Sequence, residues 1–126
     1  LSWGMAGLRF YKRTSAPRNN MRPANPQQAQ QHMRHLLGQK IRGKRSTRVK
    51  EHTERAIRIA DILYRQFQVG PYQYRAHHLL WYLNTDIASL TSASQYRHWL
   101  TLRIIVRALN QWEQWQSLLY GSWTRP

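Results

Sequence analysis

The 126-residue sequence contains no cysteine. That excludes a disulfide framework, a thiolate zinc site and a cysteine nucleophile, and it suits a reducing compartment. There is no run of about 18 apolar residues, so a transmembrane span is excluded, and no secretory apolar segment is visible. Acids are scarce, with five carboxylates against twenty Lys and Arg. Three of the five stand four residues ahead of an arginine, as Glu51–Arg55, Glu54–Arg58 and Asp61–Arg65. This is the spacing of surface helix pairs, worth a few tenths of a kcal/mol each. Only Asp86 and Glu113 remain, too few to suggest acid–base catalysis. A Gly-rich phosphate loop and a G-x-S-x-G elbow are both missing. The histidines cluster only as His32/His35 and His77/His78, without carboxylates at ligand spacing. The sequence therefore predicts no enzyme, no metal and no cofactor.

What is abundant is positive charge, a net of +15. Residues 1–50 hold Arg9, Lys12, Arg13, Arg18, Arg22, Arg34, Lys40, Arg42, Lys44, Arg45, Arg48 and Lys50 with no acid, whereas residues 51–126 carry a net of +3, eight cations against five acids. Nucleic acid is the default partner for such a balance, through phosphate contacts and counterion release. A ribosome-like assembly surface and simple solubility are the bland alternatives.

Residues 1–24, rich in Gly, Pro, Ser, Asn and Arg without helical period, read as a disordered basic arm. Because the chain opens on Leu1, Met5 and Met21 are candidate initiators, and an acid-free transit peptide is a further reading of the segment. Asn25 as cap, Pro26 at the first helical position and Gly38 beyond the end predict a helix over 25–38. Residues 39–46 form a basic loop, a candidate phosphate clamp. The clearest helix runs over 46–69, with Val49, Ala56, Ile59, Ala60, Leu63, Tyr64 and Phe67 on one face; Gly70-Pro71 stops it. Its outer face reads as charge-balanced and so poorly suited to phosphate. His52 points to its core side. A shorter helix is predicted over 72–84.

The long stretch 92–120, with Ser92 and Gln95 as a capping box, is apolar over most of its circumference. At about 100° per residue, Arg103, Arg107, Asn110 and Gln114 fall within about 60° of arc. A break near residue 112 is the alternative to one continuous helix. Nine aromatics (Tyr72, Tyr74, Trp81, Tyr82, Tyr96, Trp99, Trp112, Trp115 and Trp123) fit either a bulky core or base stacking. The expected fold is all-α, a compact bundle of four to five helices over 25–126 behind the arm 1–24.

RSTRVKEHTERAIRIADILYRQF, HHLLWYLN, TSASQYRHWLTLRIIVRALNQWEQW and the closing SWTRP together resemble, over about residues 27–126, the core-binding (SAM-like) N-terminal domain of tyrosine recombinases and phage integrases. That family's catalytic Arg, His-x-x-Arg and Tyr lie in a second domain absent here, and His52-x-x-Arg55 fits the spacing only by chance. The resemblance thus implies duplex DNA binding without strand cleavage, in a cytoplasmic, nucleoid-associated protein. It implies that Lys40, Arg42, Lys44, Arg45 and Arg48 hold the backbone, and that Arg103, Arg107 and Asn110 face the groove. Two other readings stand beside it: an RNA-binding assembly protein that threads its arm into folded RNA, and a helical interaction domain that docks a protein partner. A catalytic partner domain missing from the chain belongs to the first reading. No membrane partner is expected.

Overall fold

The computed structural model describes residues 21–40 and 47–121, apart from the side chains of Gln39 and Lys40. Most of the expected arm (1–20), the loop 41–46 and the tail 122–126 lie outside the described residues. The fold is all-α, with five helices and no strand among the described residues.

Helix α1 spans Pro26–Lys40. Asn25 Oδ1 accepts the Gln28 amide at 2.8 Å, and Gln28 Oε1 reaches back to the Ala24 amide, also at 2.8 Å. The Gln28 amide, which helix geometry leaves without a partner, is thereby satisfied, and the residue before the cap is tied to the first turn. The helix runs through Gly38 rather than stopping there; Gly38 is exposed and meets nothing. Ala29, Met33, Leu36 and Leu37 are buried.

Helix α2 spans Thr47–Phe67 and buries Ala56, Ile59, Ala60 and Leu63, a spacing of three and four residues that forms one stripe. Gln30 Nε2 on α1 donates to Asp61 Oδ1 at 3.2 Å, so the start of α1 lies beside the second half of α2 and the pair runs antiparallel. Gln68, not Gly70-Pro71, ends α2: its φ of 56° turns the chain left-handed. The Gln68 side chain then donates to the Tyr64 and Arg65 carbonyls, at 3.4 and 3.2 Å, covering acceptors the helix end exposes.

Residues 21–24, grouped with the arm on sequence grounds, are tied down. Pro23 is buried, Gln73 Nε2 donates to the Met21 carbonyl, and Arg22 Nη1 donates to the Gln68 carbonyl at 3.4 Å. Gly70 makes room for this packing, since a Cβ there would stand 2.7 Å from Pro23 Cδ.

A 3₁₀ turn at Pro71–Gln73 precedes α3, Ala76–Trp81, which starts four residues later than the sequence predicts. His78 Nδ1 accepts the Arg75 amide at 2.9 Å, closing the start of α3. A π-helical turn, Tyr82–Asp86, follows, with the Ile87 amide bonded five residues back to the Tyr82 carbonyl. It delivers the Tyr82 hydroxyl to His98 Nδ1 at 2.7 Å.

Helix α4 spans Ser92–Ala108. Its cap is Thr91, whose Oγ1 accepts the Ser94 amide at 3.2 Å, in place of the expected Ser92–Gln95 box. Gln95 instead donates to the carbonyls of Ile87, Ala88 and Leu90, fastening that loop to the helix. The end of α4 is a Schellman motif: Asn110 is left-handed at φ 61°, its amide bonds the Arg107 carbonyl and the Gln111 amide bonds the Val106 carbonyl, both at 3.0 Å. The long stretch is therefore broken at 109–111, and Trp112–Trp115 forms a separate short helix, α5. The Trp99 indole N–H donates to the Leu119 carbonyl and holds the returning segment against α4. Ile59, Leu63, Leu79, Tyr82, Leu102, Ile105, Val106 and Leu119 fill the centre, each at most 1% exposed. Burial of each is worth roughly 1.5–3 kcal/mol.

Candidate nucleic-acid interface

The break at 109–111 divides the expected arginine stripe. Asn110 is exposed, but its backbone conformation ends the helix, and Gln114 belongs to α5. Arg103 and Arg107 remain together on α4. Each guanidinium lies over an indole: Arg103 over Trp99 at 5.7 Å and Arg107 over Trp112 at 5.5 Å.

The opposite side of α4 is organised around Thr101, a fully buried hydroxyl in an apolar run. Its Oγ1 lies 2.7 Å from His52 Nδ1, accepts Arg55 Nη1 at 3.0 Å, and stands 3.2 Å from the Arg97 carbonyl. The hydroxyl has one proton to give, to His52 or to that carbonyl, and Arg55 occupies a lone pair in either case. Thr101 therefore joins α2 to α4 at a polar point inside an apolar contact.

Drawing Arg55 into this contact changes the pairing expected on α2. Of the three anticipated pairs, only Asp61–Arg65 forms an ion pair among the described residues, at 3.0 Å. Arg55 turns to Thr101 and His52, while Arg58 makes no ion pair or hydrogen bond among the described residues. Asp61, the acid one turn beyond Arg58, is already taken by Arg65 and Gln30. Glu51 remains close enough to favour the charged form of Arg55.

Arg48, His52 and Arg55 share one face of α2 at i, i+4 and i+7. Arg97 lies one turn before Thr101 on the same side of α4. The charges act on one another: burial first, then Arg58 and Arg97, disfavour the Arg55 cation, with Glu51 and Tyr82 opposing. Burial first, then Arg55 and Arg48, lowers His52, with Glu51 opposing. Burial first, then Arg55 and Arg58, brings His98 down to about 4. Arg48, Arg55, Arg58 and Arg97 thus form a cationic surface along the α2–α4 seam, three of them exposed and Arg55 half-buried.

Of the residues expected at the interface, Arg48 belongs to this seam. Arg42, Lys44 and Arg45 lie outside the described residues, as does the side chain of Lys40. Arg103 and Arg107 do not join it. They stand about 200° and 240° around α4 from Thr101, the residue that meets α2. Arg55, Arg58 and Arg97 were missed because spacing alone assigns the first two to Glu51 and Glu54. The available signal was Thr101 itself, a small hydroxyl opposite a face with Arg48, His52 and Arg55 in register.

Among the described residues, no group of three His, Asp or Glu could hold a metal ion, and no helix is long and apolar enough to cross a membrane. In comparisons with known proteins, the chain matches no family model, no curated protein and no solved structure.

Proposed function

We propose that the chain is a DNA-binding module that grips duplex phosphates along the α2–α4 seam and carries no catalytic residues of its own. One observation carries the reading: Arg48, Arg55, Arg58 and Arg97 gather across two helices without an ion pair among the described residues. Such a surface is held apart against its own repulsion, and a polyanion relieves it. The seam begins at the amino end of α2, beside Lys40, Arg42, Lys44 and Arg45 in sequence. Helix dipole and side chains there favour an anion together. The resemblance to recombinase core-binding domains supports duplex DNA over other polyanions and, with it, a cytoplasmic, nucleoid-associated setting. A catalytic domain supplied elsewhere would complete that role.

The test is duplex DNA affinity titrated with salt, for the wild type and for Arg48→Ala, Arg58→Ala and Arg97→Ala together. All three side chains are exposed and make no hydrogen bond or ion pair among the described residues, so the fold survives their removal. Every phosphate that the variant no longer neutralises lowers the salt slope by about 1, and affinity falls with it. An unchanged slope refutes the seam as the DNA-binding surface. A wild type that prefers structured RNA to duplex DNA transfers the same surface to the RNA-assembly reading.

A further inference from the structure

We propose that the Arg103/Arg107 face is a second nucleic-acid site, one that takes an unpaired strand by stacking bases on aromatic rings beside the two guanidinium groups. It rests on the polyanion-binding reading above, but on different residues on the other side of α4.

Four rings converge there. Tyr96 stacks on Trp99 with centroids 6.1 Å apart and 15° between planes. Trp112 meets Trp99 edge-on at 6.2 Å. Tyr120 lies 5.6 Å from Trp99 and 6.1 Å from Trp112. Trp99 is buried and anchors the group, whereas Tyr120 is 53% exposed and Tyr96 and Trp112 are half-buried. About half of Tyr120 is thus left to solvent, where a planar ligand can reach it. Arg103 and Arg107 lie against Trp99 and Trp112, and neither makes an ion pair or hydrogen bond among the described residues. They stand one turn apart, about 6 Å along the helix axis, suited to neighbouring phosphates of one extended strand.

Charge complementarity selects a polyanion, and the exposed rings select its class. A run of carboxylates meets the arginines but carries no planar ring to stack on the aromatic group. A single strand offers both phosphates and bases, and aromatics interleaved with cations are how single-strand binders work without sequence preference. A blunt duplex keeps its bases stacked internally and gains nothing from Tyr120. With a duplex on the α2–α4 seam and an unpaired strand on this face, one copy of the chain bridges paired and unpaired segments, as at a fork or a junction.

The experiment measures binding of labelled oligo-dT and of a blunt duplex to the full chain, with circular dichroism confirming the fold of each variant. Tyr120→Ala, and Arg103→Gln with Arg107→Gln, each weaken oligo-dT binding about tenfold and leave duplex binding unchanged. Arg58→Ala with Arg97→Ala does the reverse. Oligo-dT also quenches tryptophan fluorescence, which the duplex does not. If the double glutamine variant unfolds, Tyr120→Ala and Arg107→Gln decide alone. Unchanged oligo-dT affinity in these variants overturns the proposal, and so does an equal loss for duplex and single strand. Polyglutamate bound as tightly as oligo-dT, with the same loss in Tyr120→Ala, also overturns it, in favour of an acidic protein partner. Oligo-dT binding that persists without any duplex binding sinks the seam reading and leaves this one standing.

Discussion

Replacing Thr101 by valine tests the polar junction between α2 and α4 with almost no change of shape. The hydroxyl is fully buried and lies within 3.0 Å of both His52 Nδ1 and Arg55 Nη1. A hydrogen bond to a charged group contributes about 1.5–3 kcal/mol, and a neutral one about 1 kcal/mol. Arg55 is half-buried and recovers part of that energy from water, so the expected cost is about 2 kcal/mol. Thr101→Ser keeps the hydroxyl and removes one buried methyl, at a cost of about 1 kcal/mol. Urea unfolding followed by tryptophan fluorescence separates the two. The valine variant should have the lower midpoint, with an unchanged slope in denaturant. A valine variant within about 0.5 kcal/mol of the wild type, or more stable than the serine variant, refutes the hydroxyl as the junction.

Other expectations follow from single contacts. Gly70→Ala forces a methyl into the rigid Pro23 ring, and a thermal melt should show a loss of about 1–3 kcal/mol; an unchanged melt means the 21–24 segment does not pack there. Asn110→Gly suits the left-handed position, so stability should hold or rise and duplex affinity should not change; a loss of about 1–3 kcal/mol in binding would restore Asn110 as a base reader. Burial first, with His77 and Arg75 adding, holds His78 at about 4, and burial with Arg55 and Arg58 does the same for His98. Unfolded, both take up protons near the ordinary 6.5. Between those values the unfolded chain binds more protons, so stability is full above about pH 6.5, falls as pH drops, and levels off near pH 4. Urea midpoints across that range check this, and a His98→Gln variant should show a shallower fall than the wild type; a flat wild-type profile contradicts it.

The helices were legible because their starts and apolar stripes are written in local sequence. Asn25 and Pro26 announce α1, and the three-and-four spacing from Ala56 to Leu63 announces α2. The ends were less legible. Gly38 suggested a stop that does not occur, while Gln68 and Asn110 end helices in a left-handed conformation usually given to glycine. Neither residue type marks such a position by itself, because tertiary packing decides where the chain must turn. The seam was hidden for a related reason. A carboxylate four residues before an arginine predicts a pair only while the arginine has no better partner, and Thr101 on a distant helix supplies one for Arg55. Long-range competition of this kind has no local spacing.

The fastening of residues 21–23 against Gln68, Gly70 and Gln73 sets where the front of the chain enters the domain. That point is the carboxyl end of α2, while the 41–46 loop joins at the amino end, and 21 residues of helix separate them by about 30 Å. The described chain thus enters at one end of this rod and passes into its other end at Thr47. Their separation is close to one turn of duplex, about 34 Å. If a linear polyanion lies along α2 as proposed, the length of that helix sets its footprint as much as any side chain on it.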